Sequence, residues 1–164
     1  MFYNDYNIEG INAKSDAVVA LVKQLKKQGV PIQGVGVQGH LDTQYGLPGN
    51  MQQNLHRFGA LGMKTAITEA DVRMFVDKDG NPQNATQVQA QSDAYSYMLE
   101  SCLLERSCIS YTVWGFTDKY SWVPGVFTGE GYANIYDTNY KPKPAYDALR
   151  RDFALAAGVR PRRP

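Results

Sequence analysis

Apolar and polar residues along the chain predict four strands, each followed by an amphipathic helix. Strand patterns rich in apolar, β-branched or aromatic residues occupy residues 2–6, 32–38, 64–72 and 109–114. Helical spacing of apolar residues predicts helices at about residues 15–29, from about 50 to 58, 84–104 and 144–155. Strand–helix units in series favour parallel strands joined by right-handed crossovers. The pattern therefore predicts an α/β fold, namely half of an eight-stranded (β/α) barrel of the TIM type.

Capping residues bound several of these helices. Ser15 or Asp16 is expected to cap the first helix, which Gly29 ends, and Asn84 is expected to cap the third. In the fourth helix a spacing of four residues predicts that three apolar side chains face inward: Ala145, Leu149 and Phe153.

The third strand carries two acidic residues close to its end. Alternation places Glu69 and Asp71 on the same face as Thr65 and Ile67, so the two carboxylates lie side by side where the strand runs out. An ionised carboxylate that is partly buried costs several kcal/mol unless it is paired or hydrogen-bonded. One explanation is an ion pair that caps the next loop, and the other is a functional site.

Composition and charge narrow the class of protein. The 164 residues are 43% hydrophobic, which is enough for one domain with a buried core. A formal charge of +1 provides no basic field for nucleic acid, and no apolar run is long enough to cross a membrane. The start of the chain does not resemble a signal peptide. We assign residues 1–157 to the barrel half and residues 158–164 to a basic, proline-rich tail or linker.

The ends of the predicted strands bring together residues suited to sugar binding. In a β/α barrel the chemistry lies at the carboxyl ends of the strands. Here those ends carry amides, carboxylates, a histidine and aromatic rings: Asn4, Asp5, Tyr6, Asn7, Gln38, His40, Glu69, Asp71, Trp114, Asp118, Tyr120 and Trp122. Each could be structural by itself, but together they predict a carbohydrate subsite, because sugars present apolar faces to aromatic rings and hydroxyls to polar groups.

Four motifs in order resemble one family. The motifs occupy residues 4–7 (Asn-Asp-Tyr-Asn), 38–40 (Gln-Gly-His), 67–71 (Ile-Thr-Glu-Ala-Asp) and 112–122. Their order and spacing are similar to those of the last four strands of glycoside hydrolase family 10 endo-1,4-β-xylanases. The resemblance extends from residue 2 to about residue 156. It implies the C-terminal half of the catalytic barrel, acting on xylan or xylo-oligosaccharides with retention of configuration.

The resemblance implies a role for each matching residue. Glu69 matches the nucleophile, and His40 and Asp71 match the residues that support it. Gln38 and Tyr6 match groups that touch the sugar at the cleavage point.

Asn4 is expected to assist in sugar binding, and Trp114 and Trp122 match the aromatic walls of the substrate-binding subsites. Cys102 and Cys108 match the position of a family disulfide, which suits an extracellular parent enzyme. Two buried free thiols are the alternative.

The same resemblance leaves some functions open. The family's acid/base glutamate belongs to an earlier strand that this chain does not contain, so the chain alone is expected to be weakly active or inactive. A non-catalytic xylan-binding fragment and a retaining glycosidase that cleaves β-1,4-glucan are alternatives. The outer strands, residues 2–6 and 109–114, are expected to be open edges that pair with a second copy or with the missing N-terminal half. No cofactor is expected, and His40 and His56 have no second ligand at a spacing that suits a metal.

Overall fold

A computed structural model of the protein describes residues 1–158. Its elements follow the predicted alternation of strands and helices. The strands are β1 (Phe2–Asp5), β2 (Gly34–Val37), β3 (His40–Asp42), β4 (Lys64–Phe75), β5 (Cys108–Val113) and β6 (Glu130–Gly131). The helices are α1 (Ala13–Lys27), α2 (Met51–Gly59), α3 (Ala85–Leu103), α4 (Val123–Val126) and α5 (Pro144–Gly158). Most of the predicted tail, residues 159–164, lies outside the described residues.

Four strands form a parallel sheet in the order β1-β2-β4-β5. The predicted barrel half is therefore confirmed. Two short strands were not predicted: β3 runs parallel to the second half of β4, and β6 pairs antiparallel with its end. Both extend β4 beyond the point where β2 and β5 stop pairing with it.

The predicted end of the third strand is wrong. β4 continues to Phe75, because β3 and β6 supply new backbone partners after β2 ends. Strict alternation along β4 is also wrong: Ile67 and Ala70 both lie in the hydrophobic core, although they are three residues apart. Register shifts against β5 between Thr65 and Ile67, and between Ile67 and Ala70, explain this change of face.

Helix ends agree with the prediction at two places and differ at one, and one side chain of α5 faces the other way. Asn84 caps α3, and Gly29 follows α1 with φ of 72°. The cap of α1 is instead Asn12, which exchanges hydrogen bonds with Ser15 in a capping box. The inward orientation of Ala145 and Leu149 is confirmed, whereas Phe153 is exposed. Asp152, the residue before Phe153 in α5, is buried instead and accepts a hydrogen bond from Ser96 of α3.

The hydrophobic core lies between one face of the sheet and the helices. Val35 and Val37 of β2 are fully buried in it, whereas Gly34 and Gly36 lie on the other face, beneath Phe2 and Asn4. That face corresponds to the interior of a complete barrel. Its glycines allow side chains of β1 to lie flat across β2.

The two outer strands of the parallel sheet are open edges. Within residues 1–158, β1 pairs only with β2, and β5 pairs only with β4. Phe2 is 41% exposed and Ile109 is 58% exposed. The prediction of two open edges is confirmed, and what covers them stays a prediction.

Cys102 and Cys108 form a disulfide between the end of α3 and the start of β5. No helix within residues 1–158 is long and apolar enough to span a membrane.

Candidate active site

Glu69 lies in β4, where the ends of β1 and β2 approach it. Its Oε1 accepts a hydrogen bond from Asn4 Nδ2 at 2.9 Å, and its Oε2 lies 3.3 Å from His40 Nε2. The Asn4 amide is itself oriented, because Thr68 Oγ1 donates to its Oδ1 at 2.8 Å. The carboxylate is therefore held on both oxygens by side chains from two other strands.

His40 connects the two carboxylates that the sequence places two residues apart. Its Nδ1 lies 2.9 Å from Asp71 Oδ1, while Nε2 faces Glu69. Burial lowers the pKa of His40, but the hydrogen bonds and charges of Asp71 and Glu69 outweigh this effect and raise the pKa above its ordinary value. Both neighbours are acceptors, so making both hydrogen bonds requires the protonated ring.

Asp71 is almost completely buried, and both of its oxygens have donors. Oδ1 faces His40, and Oδ2 accepts a hydrogen bond of 2.6 Å from the indole Nε1 of Trp122. A buried carboxylate with two directed donors has a fixed orientation. Asp71 therefore sets which way the His40 ring faces.

Backbone hydrogen bonds bring the strand ends together at this point. The Gln38 N–H donates to the Asp5 carbonyl at 2.9 Å, and the Glu69 N–H donates to the Gln38 carbonyl at 2.8 Å. The Trp114 N–H donates to the Ala70 carbonyl at 3.0 Å. The parallel sheet thus places the ends of four strands side by side, as the barrel prediction requires.

A cavity of about 610 Å³ opens in front of Glu69. Its lining contains residues from all four strand ends and from the long loop after β5: Tyr6, Asn7, Gln38, His40, Glu69, Arg73, Trp114, Trp122 and Phe127. The predicted sugar contacts Tyr6, Gln38, Trp114 and Trp122 are all among them. Asn4 and Asp71 are not among them: Asn4 is exposed and contacts Glu69 from β1, and Asp71 is buried and contacts His40.

Two lining residues were missed in the sequence, Arg73 and Phe127, whereas Asn7 belongs to the predicted rim of strand ends. Arg73 forms salt bridges with Asp42 at 3.0 Å and Glu130 at 2.6 Å. Arg73 follows Asp71 by two residues in an extended strand, so it could have been found. Phe127 belongs to a long loop without a periodic pattern.

The cavity contains a single carboxylate. Among residues 1–158, Glu69 is the only acidic side chain that lines it. The same part of the chain has no group of three or more His, Cys, Asp or Glu side chains placed to hold a metal ion. The groups that line this cavity are therefore one oriented carboxylate, one histidine whose pKa is raised, the Arg73 guanidinium, amides and aromatic rings.

The sequence profile of glycosyl hydrolase family 10 matches residues 1–152. The chain belongs to this family. Family 10 relatives include an endo-1,4-β-xylanase of Agaricus bisporus, which is 44% identical over 149 residues, covering 91% of this chain and 43% of that enzyme. Endo-1,4-β-xylanase B of Thermotoga neapolitana is 44% identical over 153 residues, covering 92% of this chain and 42% of that enzyme.

Solved family 10 structures agree with the fold. The crystal structure of xylanase 10B from Thermotoga petrophila RKU-1 in complex with xylobiose superimposes with a TM-score of 0.87 at 41% identity. It covers 94% of this chain and 46% of that one. The chain thus spans less than half the length of the relatives it matches, and those structures support its description as part of a TIM barrel.

Proposed function

We propose that this chain carries the nucleophile side of a retaining endo-1,4-β-xylanase site, with Glu69 as the nucleophile. The observation that carries the proposal is the placement of Glu69, held by Asn4 and His40, in a cavity walled by Trp114 and Trp122. Its family 10 relatives are named endo-1,4-β-xylanases, which supports β-1,4-xylosidic bonds of xylan as the target.

In the proposed reaction, Glu69 attacks the anomeric carbon of a bound xylose unit. A carbon–oxygen bond to the carboxylate forms while the glycosidic bond breaks, and the leaving oxygen takes a proton from an acid. Water then gives a proton to the conjugate base of that acid and attacks the same carbon, which breaks the bond to Glu69 and yields a sugar of retained configuration. Asn4 and His40 keep the carboxylate pointed at the sugar, and Asp71 and Glu69 raise the pKa of His40, which favours a positive partner beside the carboxylate.

The acid must come from outside residues 1–158. Retaining glycosidases hold two carboxyl groups about 5 to 5.5 Å apart across the scissile bond, and this cavity has only one in the described chain. We propose that a complementary half barrel supplies it and covers the open edges β1 and β5. This chain covers 43% of the Agaricus bisporus relative and 46% of the Thermotoga petrophila structure. The uncovered remainder of those proteins supports a complementary half as the partner.

A covalent label tests the nucleophile without needing the acid. The reagent is a dinitrophenyl β-xylobioside with fluorine in place of the hydroxyl next to the reacting carbon. Dinitrophenolate leaves without protonation, and the fluorine slows the second step, so the sugar remains bound to its nucleophile. We expect intact mass to rise by one fluoroxylobiosyl group, and peptide mapping to place that group on Glu69.

Two variants control this experiment. Glu69→Gln should not be labelled, and Glu100→Gln, which changes an exposed glutamate on α3, should be labelled as fast as the unchanged chain. Reducing sugar released from xylan is measured alongside, with the chain alone and with a separately expressed N-terminal half of a family 10 barrel. Labelling on another residue, or equal labelling of Glu69→Gln, would overturn the assignment.

A non-catalytic xylan-binding fragment is the second candidate. It is favoured by the single carboxylate of the cavity, because binding requires the aromatic walls and amides but no acid. If xylan in the gel slows the chain in affinity electrophoresis but the chain is never labelled, it is this fragment. If the corresponding fluorinated dinitrophenyl β-cellobioside labels Glu69 as fast as the xylobioside does, the site is instead that of a β-1,4-glucan-cleaving glycosidase.

The location of the parent enzyme follows from the same proposal. We propose that the parent acts outside the cell, where its polymeric substrate is found. The Cys102–Cys108 disulfide supports an oxidising compartment.

A further inference from the structure

Trp122 has a contact that a sugar-binding wall does not need. Its indole N–H, the only hydrogen-bond donor of that side chain, points to Asp71 Oδ2 at 2.6 Å. Its ring also packs edge-on against His40, with centroids 5.0 Å apart. Trp114, the other wall, has no hydrogen-bond partner for its indole within residues 1–158, and its ring lies 6.5 Å from His40. The two tryptophans are therefore not equivalent.

The hydrogen bond from Trp122 completes the environment of Asp71. Asp71 is 1% exposed and has no arginine or lysine partner in the described chain. One of its oxygens is directed at His40 and the other at Trp122, which comes from a different loop. Without the indole donor, the second oxygen would be unsatisfied, and the carboxylate could rotate away from His40.

Trp122 is held in place from behind, independently of any substrate. Phe127 packs edge-on against it at 5.6 Å, and the Arg73 guanidinium lies 4.1 Å from the centre of the Phe127 ring. Arg73 is fixed in turn by Asp42 and Glu130. This stack keeps the indole at its place over Asp71.

We propose that Trp122 is a positioning residue of the nucleophile, which orients Glu69 through Asp71 and His40. The relay runs from the Trp122 indole to the Asp71 carboxylate, then to the His40 ring, and from its Nε2 to Glu69. The Trp122 ring still offers an apolar surface to a sugar, but its N–H is committed to the protein. The inference rests on the proposed function only for the role of Glu69.

The relay predicts the direction of a measurable change at His40. The charged groups that face or surround His40 are Glu69 and Asp71 from β4, Glu9 from the loop after β1, and Arg73 in the shared cavity wall. Asp71 raises the pKa of His40 through the hydrogen bond to Nδ1. Replacing Trp122 by phenylalanine removes the donor that holds the other Asp71 oxygen and frees the carboxylate to turn away from His40, so the pKa of His40 should fall.

The chain has two tryptophans and two histidines, so NMR can observe each ring separately. Trp122→Phe and the matched control Trp114→Phe assign the two indole signals, and His56→Gln assigns the histidines. In the unchanged chain we expect the Trp122 indole proton to lie downfield and to exchange with solvent at least about tenfold more slowly than that of Trp114. We expect the pKa of His40 to be lower in Trp122→Phe and unchanged in Trp114→Phe.

Two results would overturn the inference. The first is an equal rate of solvent exchange for the Trp114 and Trp122 indole protons in the unchanged chain, a measurement that does not depend on the folding of any variant. A His40 titration and tautomer in folded Trp122→Phe identical to those of the unchanged chain would also do so, leaving Trp122 as a wall only. Neither measurement requires turnover, so failure of the labelling experiment would count against the proposed function alone.

Discussion

Gly36 of β2 lies directly beneath the amide of Asn4, so closely that a Cβ atom at Gly36 would lie 2.4 Å from Asn4 Oδ1. The same Cβ would lie 2.9 Å from Thr68 Cγ2. Asn4 can therefore cross β2 and reach Glu69 only because Gly36 has no side chain. The geometry of the candidate nucleophile depends on a residue that carries no functional group.

Gly36→Ala should slow labelling of Glu69 by roughly 10- to 100-fold, because the added methyl group displaces Asn4 from the carboxylate. It should also lower the free energy of unfolding by about 1–3 kcal/mol through overpacking. The labelling rate by mass spectrometry and urea unfolding by circular dichroism measure the two effects. Gly49→Ala is the control, since a Cβ there meets no atom within 4 Å. Equal labelling rates in the two variants would refute the role of Gly36.

The stability of the chain should depend on pH through His40. Its folded pKa is raised above the unfolded value of about 6.5, so the folded state binds the proton more tightly. This contribution is fully present below pH 6.5 and is lost as the pH rises through the folded pKa. Urea unfolding at a series of pH values should show the decline, and His40→Gln should flatten it.

His56→Gln is the matched control, because the His56 side chain is 72% exposed. It should keep the same decline as the unchanged chain. If His40→Gln and the unchanged chain lost stability in parallel over this pH range, the charge interactions assigned to His40 would be wrong.

Lys143→Met should destabilise the fold by about 3–5 kcal/mol, because it leaves the buried Asp118 carboxylate without its cation. Lys143 Nζ lies 2.9 Å from Asp118 Oδ2, and both side chains are less than a tenth exposed. Burial lowers the pKa of Lys143 to about 8 against the attraction of Asp118, so unfolding should be measured near pH 6.5, where the amine is charged.

Asp118→Asn added to Lys143→Met should recover part of this loss, because it removes the unpaired charge. Lys141→Met, at an exposed site, should change stability by less than about 0.5 kcal/mol. A loss below about 1 kcal/mol for Lys143→Met would show that the pair does not hold the long loop.

Replacing both Cys102 and Cys108 by serine should cost about 2 kcal/mol, since the disulfide closes a short loop and restricts the unfolded chain. Urea unfolding of this variant should match that of the unchanged chain in reductant. Two thiols titrated in the oxidised, unfolded chain would show that the bond is absent.

Self-association should occur through the open strand edges. Ile109 is exposed on β5, which pairs with a single neighbour in the described chain. We expect concentration-dependent association in size-exclusion chromatography, and Ile109→Lys should reduce it by placing a charge on the edge. Leu155→Lys, on the surface of α5, should leave it unchanged. A monomer at every concentration would refute pairing of two copies, but not pairing with a complementary half.

Periodicity in the sequence was sufficient for the strand–helix order, because strands and helices expose different repeats of apolar residues. It was not sufficient for β3, which is three residues long, or for β6, which is two residues long, because both form only by pairing with β4. Phe153 illustrates the same limit, since Asp152 rather than Phe153 was drawn inward by a partner on α3.

The sequence by itself determined the barrel half and the four strand-end motifs, because each depends on local pattern or on ordered motifs along the chain. The disulfide was implied only by the family resemblance, and the structure decided it against two free thiols. Only the tertiary structure decided how those motifs act on one another. Asn4 and Glu69 are 65 positions apart, and Trp122 and Asp71 are 51 apart. Hydrogen bonds need donor and acceptor within about 3 Å, and that proximity comes from strand register, a glycine beneath a side chain and the path of a loop.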